Sequence, residues 1–124
     1  MNKCVGSSKD TRNRIYSTIT QLNEELDKSY EMIDTLDFDR DFPILITTTT
    51  RIKILKEFIE LFKLIKNYNT TTRIILLERT SFLTKRVKLH FSQLKRLKDN
   101  VADNMMFFTT LLRVLLSLTI NKKN

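Results

Sequence analysis

Apolar residues recur along the first third of the chain with the spacing of a helix that buries one face. Six residues mark this face: Ile15, Ile19, Leu22, Leu26, Ile33 and Leu36. The intervals between them are 4, 3, 4, 7 and 3 residues, and Ser29 fills the position inside the longest interval. Such alternation of three and four is typical of a helix packed against another helix. We predict a first helix over residues 11–37, after a flexible polar tail at residues 1–10.

Residues 44–50 read Ile-Leu-Ile-Thr-Thr-Thr-Thr and directly follow the single proline, Pro43. Proline disfavours helix at the residue before it and clashes with the preceding turn, so the first helix must end before it. No second strand is available for pairing, and we predict an irregular connector whose last threonines cap the next helix. The second helix is predicted over residues 50–67, with one apolar face formed by Ile52, Leu55, Phe58, Ile59, Phe62 and Ile65.

A longer heptad pattern runs from Leu76 to Leu118, where ten of thirteen successive positions are apolar. A pattern of this length indicates either one long helix or two helices in nearly continuous register. Asp and Asn residues at 99–104 can cap a new helix, so we predict a break there, with helices at 72–99 and 103–121. The predicted fold is all-α, with three or four helices in an elongated coiled-coil-like bundle and a single domain over residues 11–124.

The composition supports a helical fold and excludes several kinds of site. The chain of 124 residues has one Gly, one Pro and one Cys. A sheet protein of this size needs Gly, Asn or Pro in its turns. A single Cys excludes a disulfide scaffold and a Cys-rich zinc module, and a single Gly excludes a Gly-rich phosphate loop. We predict no cofactor.

Candidate catalytic and metal-binding residues are few. His90 is the single histidine, and it falls on the heptad seam, where a polar side chain commonly fixes helix register or partner choice. A metal site needs three or four convergent ligands, which one His without a Cys pair does not supply. Cys4 lies in the predicted tail. We therefore predict no catalytic residue, no metal site and no enzymatic activity.

The formal charge of +8 is distributed unevenly. Residues 24–41 carry −6 and residues 42–124 carry +11, and residues 79–98 contain seven basic side chains without an acidic one. We call these seven residues the basic face: Arg79, Lys85, Arg86, Lys88, Lys95, Arg96 and Lys98. Three interpretations remain open. The face is solvated and partly neutralised by the acidic first helix packed beside it, or it contacts nucleic-acid phosphates, or it meets an acidic protein partner.

Residues 105–120 are apolar on nearly all sides. A helix of this kind is typical of a bundle centre or a subunit interface. A membrane anchor and a helix that binds a membrane surface are the alternatives, although sixteen residues is short for a span and a central Arg113 costs about 2.5–3.5 kcal/mol on insertion scales. Six residues form the predicted partner interface: Phe107, Phe108, Leu111, Leu112, Leu115 and Leu118.

These patterns predict a non-catalytic bridging subunit of an intracellular complex of several proteins, of the kind found at chromatin or chromosomes. Its partners are expected to be other helical subunits, in a hetero- or homo-oligomer, and its expected location is the nucleus. The alternatives are sequence-independent nucleic-acid binding by residues 79–98, and a tail-anchored membrane protein that uses residues 105–120. The cytoplasm and a membrane-associated position are the alternative locations.

Overall fold

In the computed structural model, the backbone is described for residues 2–97 and 101–121, and the side chains for residues 9–69, 71–97 and 103–120. Four α-helices form this part of the chain: α1 (Asn2–Thr35), α2 (Phe42–Lys66), α3 (Thr70–Arg96) and α4 (Val101–Asn121). The described backbone contains no strand. The predicted all-α fold is confirmed as a bundle of four helices.

Helix α2 lies at the centre of the bundle. It contacts α1, α3 and α4, whereas α4 also packs against α3. Consecutive helices are antiparallel, and α2 and α4 are therefore parallel, with Arg51 beside Asn104 near one end and Tyr68 beside Thr119 near the other. In this arrangement α4 lies along the groove between α2 and α3.

The core is built from the apolar faces that the sequence predicts. All six predicted face residues of the second helix are buried, and so are the seam positions of α3 from Leu76 to Leu94. Phe58 is fully buried and stacks on Phe62 and Phe108, with ring centroids 6.5 Å and 5.9 Å apart. Each large side chain that is fully buried in this way contributes about 1.5–3 kcal/mol to folding.

The polar position in the seam of α1 is also buried. Ser29 lies between turns formed by partly buried Leu26 and Ile33. Its hydroxyl donates a hydrogen bond of 2.9 Å to the main-chain carbonyl of Glu25, one turn earlier. A satisfied hydroxyl costs little to bury, which is how a serine is accommodated at a core position.

The prediction of a connector at residues 44–50 is wrong, because this segment forms the first turns of α2. Pro43 is in the first turn, where the missing N–H removes no intrahelical hydrogen bond. The hydroxyls of Thr47, Thr49 and Thr50 donate to the carbonyls four residues earlier, at 2.9, 2.8 and 3.0 Å. Burial of Thr47 and Thr48 supports helix here, since tertiary packing overrides a local β preference.

The turn between α1 and α2 is instead formed by residues 36–41. The Asp37 carboxylate accepts hydrogen bonds from the main-chain N–H groups of Asp39 and Arg40, at 3.0 and 3.4 Å. The Asp41 carboxylate accepts one from the N–H of Asp37 at 2.9 Å. Aspartates of the acidic segment thus stabilise a tight turn through their own backbone.

The start of α1 differs from the prediction, whereas the break between α3 and α4 agrees with it. Helix α1 begins at Asn2, so residues 2–10 are helical where a flexible tail is predicted. The predicted break between the last two helices is confirmed, because α3 ends at Arg96 and α4 begins at Val101. Residues 98–100 lie outside the described residues. The start of α3 is capped by Asn69, whose side chain accepts from the Thr72 N–H at 2.9 Å.

Candidate functional site

The predicted partner interface on α4 lies against the core of its own chain. Phe108, Leu111 and Leu115 are buried in that core. The other three residues are partly buried and pack against it: Phe107, Leu112 and Leu118. These six residues therefore do not form an exposed surface as a set. The position of α4 in the groove between α2 and α3 accounts for much of the apolar surface that suggested an external partner.

Helix α4 is also long and apolar enough to cross a membrane, over Asp103–Ile120, by length and composition alone. Insertion as an anchor would withdraw Phe108, Leu111 and Leu115 from the bundle. Phe58 of α2 would then lose its stacking contact with Phe108. The bundle thus gives these side chains an apolar environment without a membrane.

One member of the basic face is engaged within the bundle. The Arg79 guanidinium donates to both carboxylate oxygens of Glu57 on α2, at 3.0 Å and 2.6 Å. That hydrogen-bonded pair raises the pKa of Arg79, with burial acting in the opposite direction. Arg79 is therefore a link between α3 and α2. Lys98 lies outside the described residues.

The other five basic residues point outward from α3. Lys85, Arg86, Lys88, Lys95 and Arg96 are all exposed. Among the side chains that the structure describes, none of the five has a carboxylate within 4.0 Å. Neutralisation by the acidic first helix is not observed there, because the described part of α1 packs along α2 and has no backbone contact with α3. The positive charge of this face is accordingly directed to solvent.

Sequence reasoning missed an apolar stripe within the same face. Phe82 and Leu89 are 61% and 60% exposed and lie seven residues apart, and Ile75 continues the spacing toward the start of α3. We call Ile75, Phe82 and Leu89 the outer stripe. The Lys85 ammonium lies 5.8 Å from the centroid of the Phe82 ring. The repeat of seven was visible in the sequence, but it runs parallel to the stronger seam that begins at Leu76.

A second site is a cleft of about 540 Å³ at the end of the bundle where α1 and α3 finish and α2 and α4 begin. We call it the end cleft. Its charged centre is Arg51, which donates to Glu25 at 3.3 Å and to the Asn104 side-chain oxygen. Glu25 also accepts from Lys28 at 3.5 Å. The Arg51 guanidinium lies over the Phe108 ring, 5.0 Å from its centroid. Burial lowers the pKa of Arg51, and Glu25 opposes that change.

His90 lines the same cleft and is 1% exposed. Its ring meets Phe108 edge-on, with centroids 5.9 Å apart, and neither ring nitrogen has a hydrogen-bond partner among the described residues. Burial lowers the pKa of His90 to about 4, and the nearby positive charge of Arg51 adds to the effect. The Gln93 side chain acts in the opposite direction, although no hydrogen bond of normal geometry joins it to the ring. The imidazole is therefore neutral at pH 7.

Among the described side chains, no three His, Cys, Asp or Glu residues are close enough to hold a metal ion together. The end cleft and the outer side of α3 each bring charged side chains next to exposed apolar ones. Comparison with known proteins gives no match to a family model, to a curated protein or to a solved structure. What the protein does must therefore be inferred from these two surfaces.

Proposed function

We propose that this protein is a non-catalytic bridging subunit that binds an acidic protein partner through the outer face of α3. This face comprises the outer stripe and the five exposed basic residues beside it. The observation that carries the proposal is the exposure of Phe82 and Leu89 beside five exposed cations on one helix face. Large exposed apolar residues that lie together and are bordered by charge are typical of protein contact surfaces.

The spacing of the outer stripe suits a helical partner. Ile75, Phe82 and Leu89 repeat every seven residues, which is the spacing of a seam between two helices. The cations beside the stripe would pair with Asp or Glu residues flanking the apolar face of the partner helix. The partner we propose is accordingly an amphipathic helix with an apolar stripe and acidic edges, assembled with this chain by coiled-coil-type packing.

Nucleic-acid binding is the second candidate, favoured by the five exposed cations. Contacts to phosphate need positive charge and hydrogen-bond donors, and they make no use of an exposed aliphatic side chain. Leu89 therefore favours the protein partner. Both candidates agree with a location inside the cell, and we propose the nucleus because bridging subunits of basic charge operate next to nucleic acid there.

The test is co-purification of the tagged full chain from its native source without detergent, with and without nuclease. Three variants separate the candidates. Phe82→Asn with Leu89→Asn removes the apolar contact, and Lys85→Glu with Lys88→Glu reverses charge beside it. Met106→Asn with Ile120→Asn is the matched control, because both side chains are exposed on α4.

We expect a partner protein to co-purify with this chain in a fixed ratio, with and without nuclease. The α4 control should retain this partner, and both α3 variants should lose it. Circular dichroism of each variant would check that the bundle remains folded. Partners that disappear with nuclease and survive Phe82→Asn with Leu89→Asn would overturn the proposal in favour of phosphate binding. A partner that is retained by both α3 variants would overturn it as well.

A further inference from the structure

The end cleft has the size and the walls of a binding site for a small molecule. Its volume of about 540 Å³ lies within the range of roughly 300–1,000 Å³ found for ligand pockets. All four helices contribute to it, so its shape is fixed by the bundle and not by a single loop. Its walls combine four apolar residues, Met32, Ile44, Leu94 and Leu97, with eight polar or charged ones.

The polar groups of the end cleft offer more donors than the protein uses. Two of the five Arg51 N–H groups donate to protein acceptors, Glu25 and Asn104. The neutral His90 ring carries one N–H, and neither of its nitrogens has a partner in the part of the chain that the structure describes. Glu25 is shared between Arg51 and Lys28, which leaves these three charged groups with a net positive charge.

The wall near the mouth of the cleft is apolar and exposed. Met32, Ile44 and Leu97 line the cleft and are 46%, 38% and 37% exposed. An apolar ligand chain lying across the mouth would cover these side chains. Removing their apolar surface from water is favourable, and the gain in free energy rises with the area covered. The less exposed part of the cleft holds Arg51, Glu25 and His90, and its solvent-exposed part combines these apolar side chains with the Lys28 ammonium.

From this arrangement we infer that the end cleft binds a small amphiphile with an anionic head, such as a medium-chain carboxylate, with the head at Arg51 and the chain along Ile44. The carboxylate would accept from the unused Arg51 N–H groups, which form strong charge-assisted bonds in paired geometry. The Lys28 ammonium adds to the positive potential at the mouth. This site is separate from the outer face of α3, so it does not depend on the partner proposed above.

The experiment is isothermal titration of the purified full chain with decanoate below its micelle concentration. Nonyltrimethylammonium, which has the same alkyl chain and the opposite charge, is the comparison ligand. We expect one decanoate to bind per chain and the cationic amphiphile to bind at least about tenfold more weakly, since one charge-assisted contact is worth that factor. Equal binding of both amphiphiles, or no binding of decanoate, would overturn the inference.

Two variants locate the site, and each has a matched control. Arg51→Met should weaken decanoate binding by about tenfold or more, whereas Arg113→Met on the exposed side of α4 should leave it unchanged. Ile44→Trp should block the mouth, whereas Ile74→Trp on α3 should not. Ile44 is partly solvent-exposed, so this variant remains informative if Arg51→Met fails to fold. Binding that survives Ile44→Trp would place the ligand elsewhere and overturn the assignment.

Discussion

At the scale of single residues, His90 is a titratable side chain that is almost completely removed from solvent. It is a titratable group at a core position, packed against Phe108 and close to the charge of Arg51. A buried polar ring without hydrogen-bond partners costs stability. That cost is consistent with a position kept for binding, as we propose for the end cleft, because sites often retain groups that folding alone does not favour.

The first prediction concerns the pH dependence that His90 imposes on folding. Its pKa is about 4 in the folded chain and about 6.5 when unfolded, so the unfolded state takes up the proton first as pH falls. The free energy of unfolding should therefore decrease from pH 6.5 toward pH 4, by up to about 1.4 kcal/mol per pH unit. Urea unfolding at pH 7, 6, 5 and 4 measures this slope.

His90→Leu is the comparison for that series, because it removes the titrating group and keeps an apolar volume at the seam. The two proteins differ only at this residue, so the difference between their slopes reports on His90. The variant should lose less stability on acidification than the wild type. Parallel curves over this range would show that the histidine has an ordinary pKa in the fold.

Sequence predicted where His90 lies but not what surrounds it. The heptad places it on a buried face, whereas its proximity to Arg51 depends on a contact between α3 and α2. The same limit applies to Arg79, which the sequence groups with its basic neighbours and the structure pairs with Glu57. Periodicity assigns a residue to a side of one helix, and it contains no information on which charge lies opposite.

At the scale of elements, the beginning of α2 shows where local preference and packing disagree. Four consecutive threonines after Pro43 suggest extended chain, yet these residues form regular helix. Thr47 and Thr48 are buried and their hydroxyls have acceptors within the described chain. The helical start of α2 therefore depends on the rest of the bundle, which a local pattern cannot include.

The second prediction tests that assignment at Ile46, an exposed position within the first turns of α2. Ile46→Pro should lower the free energy of unfolding by about 3 kcal/mol or more, because proline removes a helical hydrogen bond and clashes with the preceding turn. Ile46→Ala at the same position should change it by less than about 1 kcal/mol. Chemical denaturation measures both. A tolerated proline would indicate that the segment is the irregular connector.

The seams of the helices, in contrast, are well predicted from sequence. Apolar residues at intervals of three and four can be buried together only on one side of a helix, and burial dominates folding. The α3 seam and the α2 face are buried for this reason. Helix ends are less well determined, as α1 shows by extending through residues 2–10 without an apolar pattern to indicate it.

At the scale of the whole molecule, the chain uses its aromatic residues in two ways. Phe58 lies in the centre of the core, stacked between Phe62 and Phe108, while Phe82 lies on the outer face of α3. Phe58 therefore contributes to the stability of the bundle, whereas Phe82 contributes little to it. The buried Phe58 ring joins α2 to α4, whereas the exposed Phe82 ring belongs to the surface that we propose for a partner.

The third prediction compares these two phenylalanines. Phe58→Ala should destabilise the bundle by about 3–5 kcal/mol, because it removes apolar burial and leaves a cavity. Phe82→Ala should change stability by no more than about 0.5 kcal/mol, because its ring is mostly in water. Thermal and urea unfolding of the two variants beside the wild type provides the measurement. A large loss for Phe82→Ala would assign that ring to the fold and remove it from the proposed docking surface.

The order of the helices in space has a consequence for how quickly the bundle forms. In the part of the chain that the structure describes, each helix packs against its neighbour in sequence, and the contact of α2 with α4 is the exception. Such contacts close short loops, so little chain entropy must be lost before burial begins. Helical proteins with mainly local contacts reach the native state in microseconds to milliseconds. This chain should accordingly fold on that timescale, with the hairpins of neighbouring helices forming before α4 settles along α2.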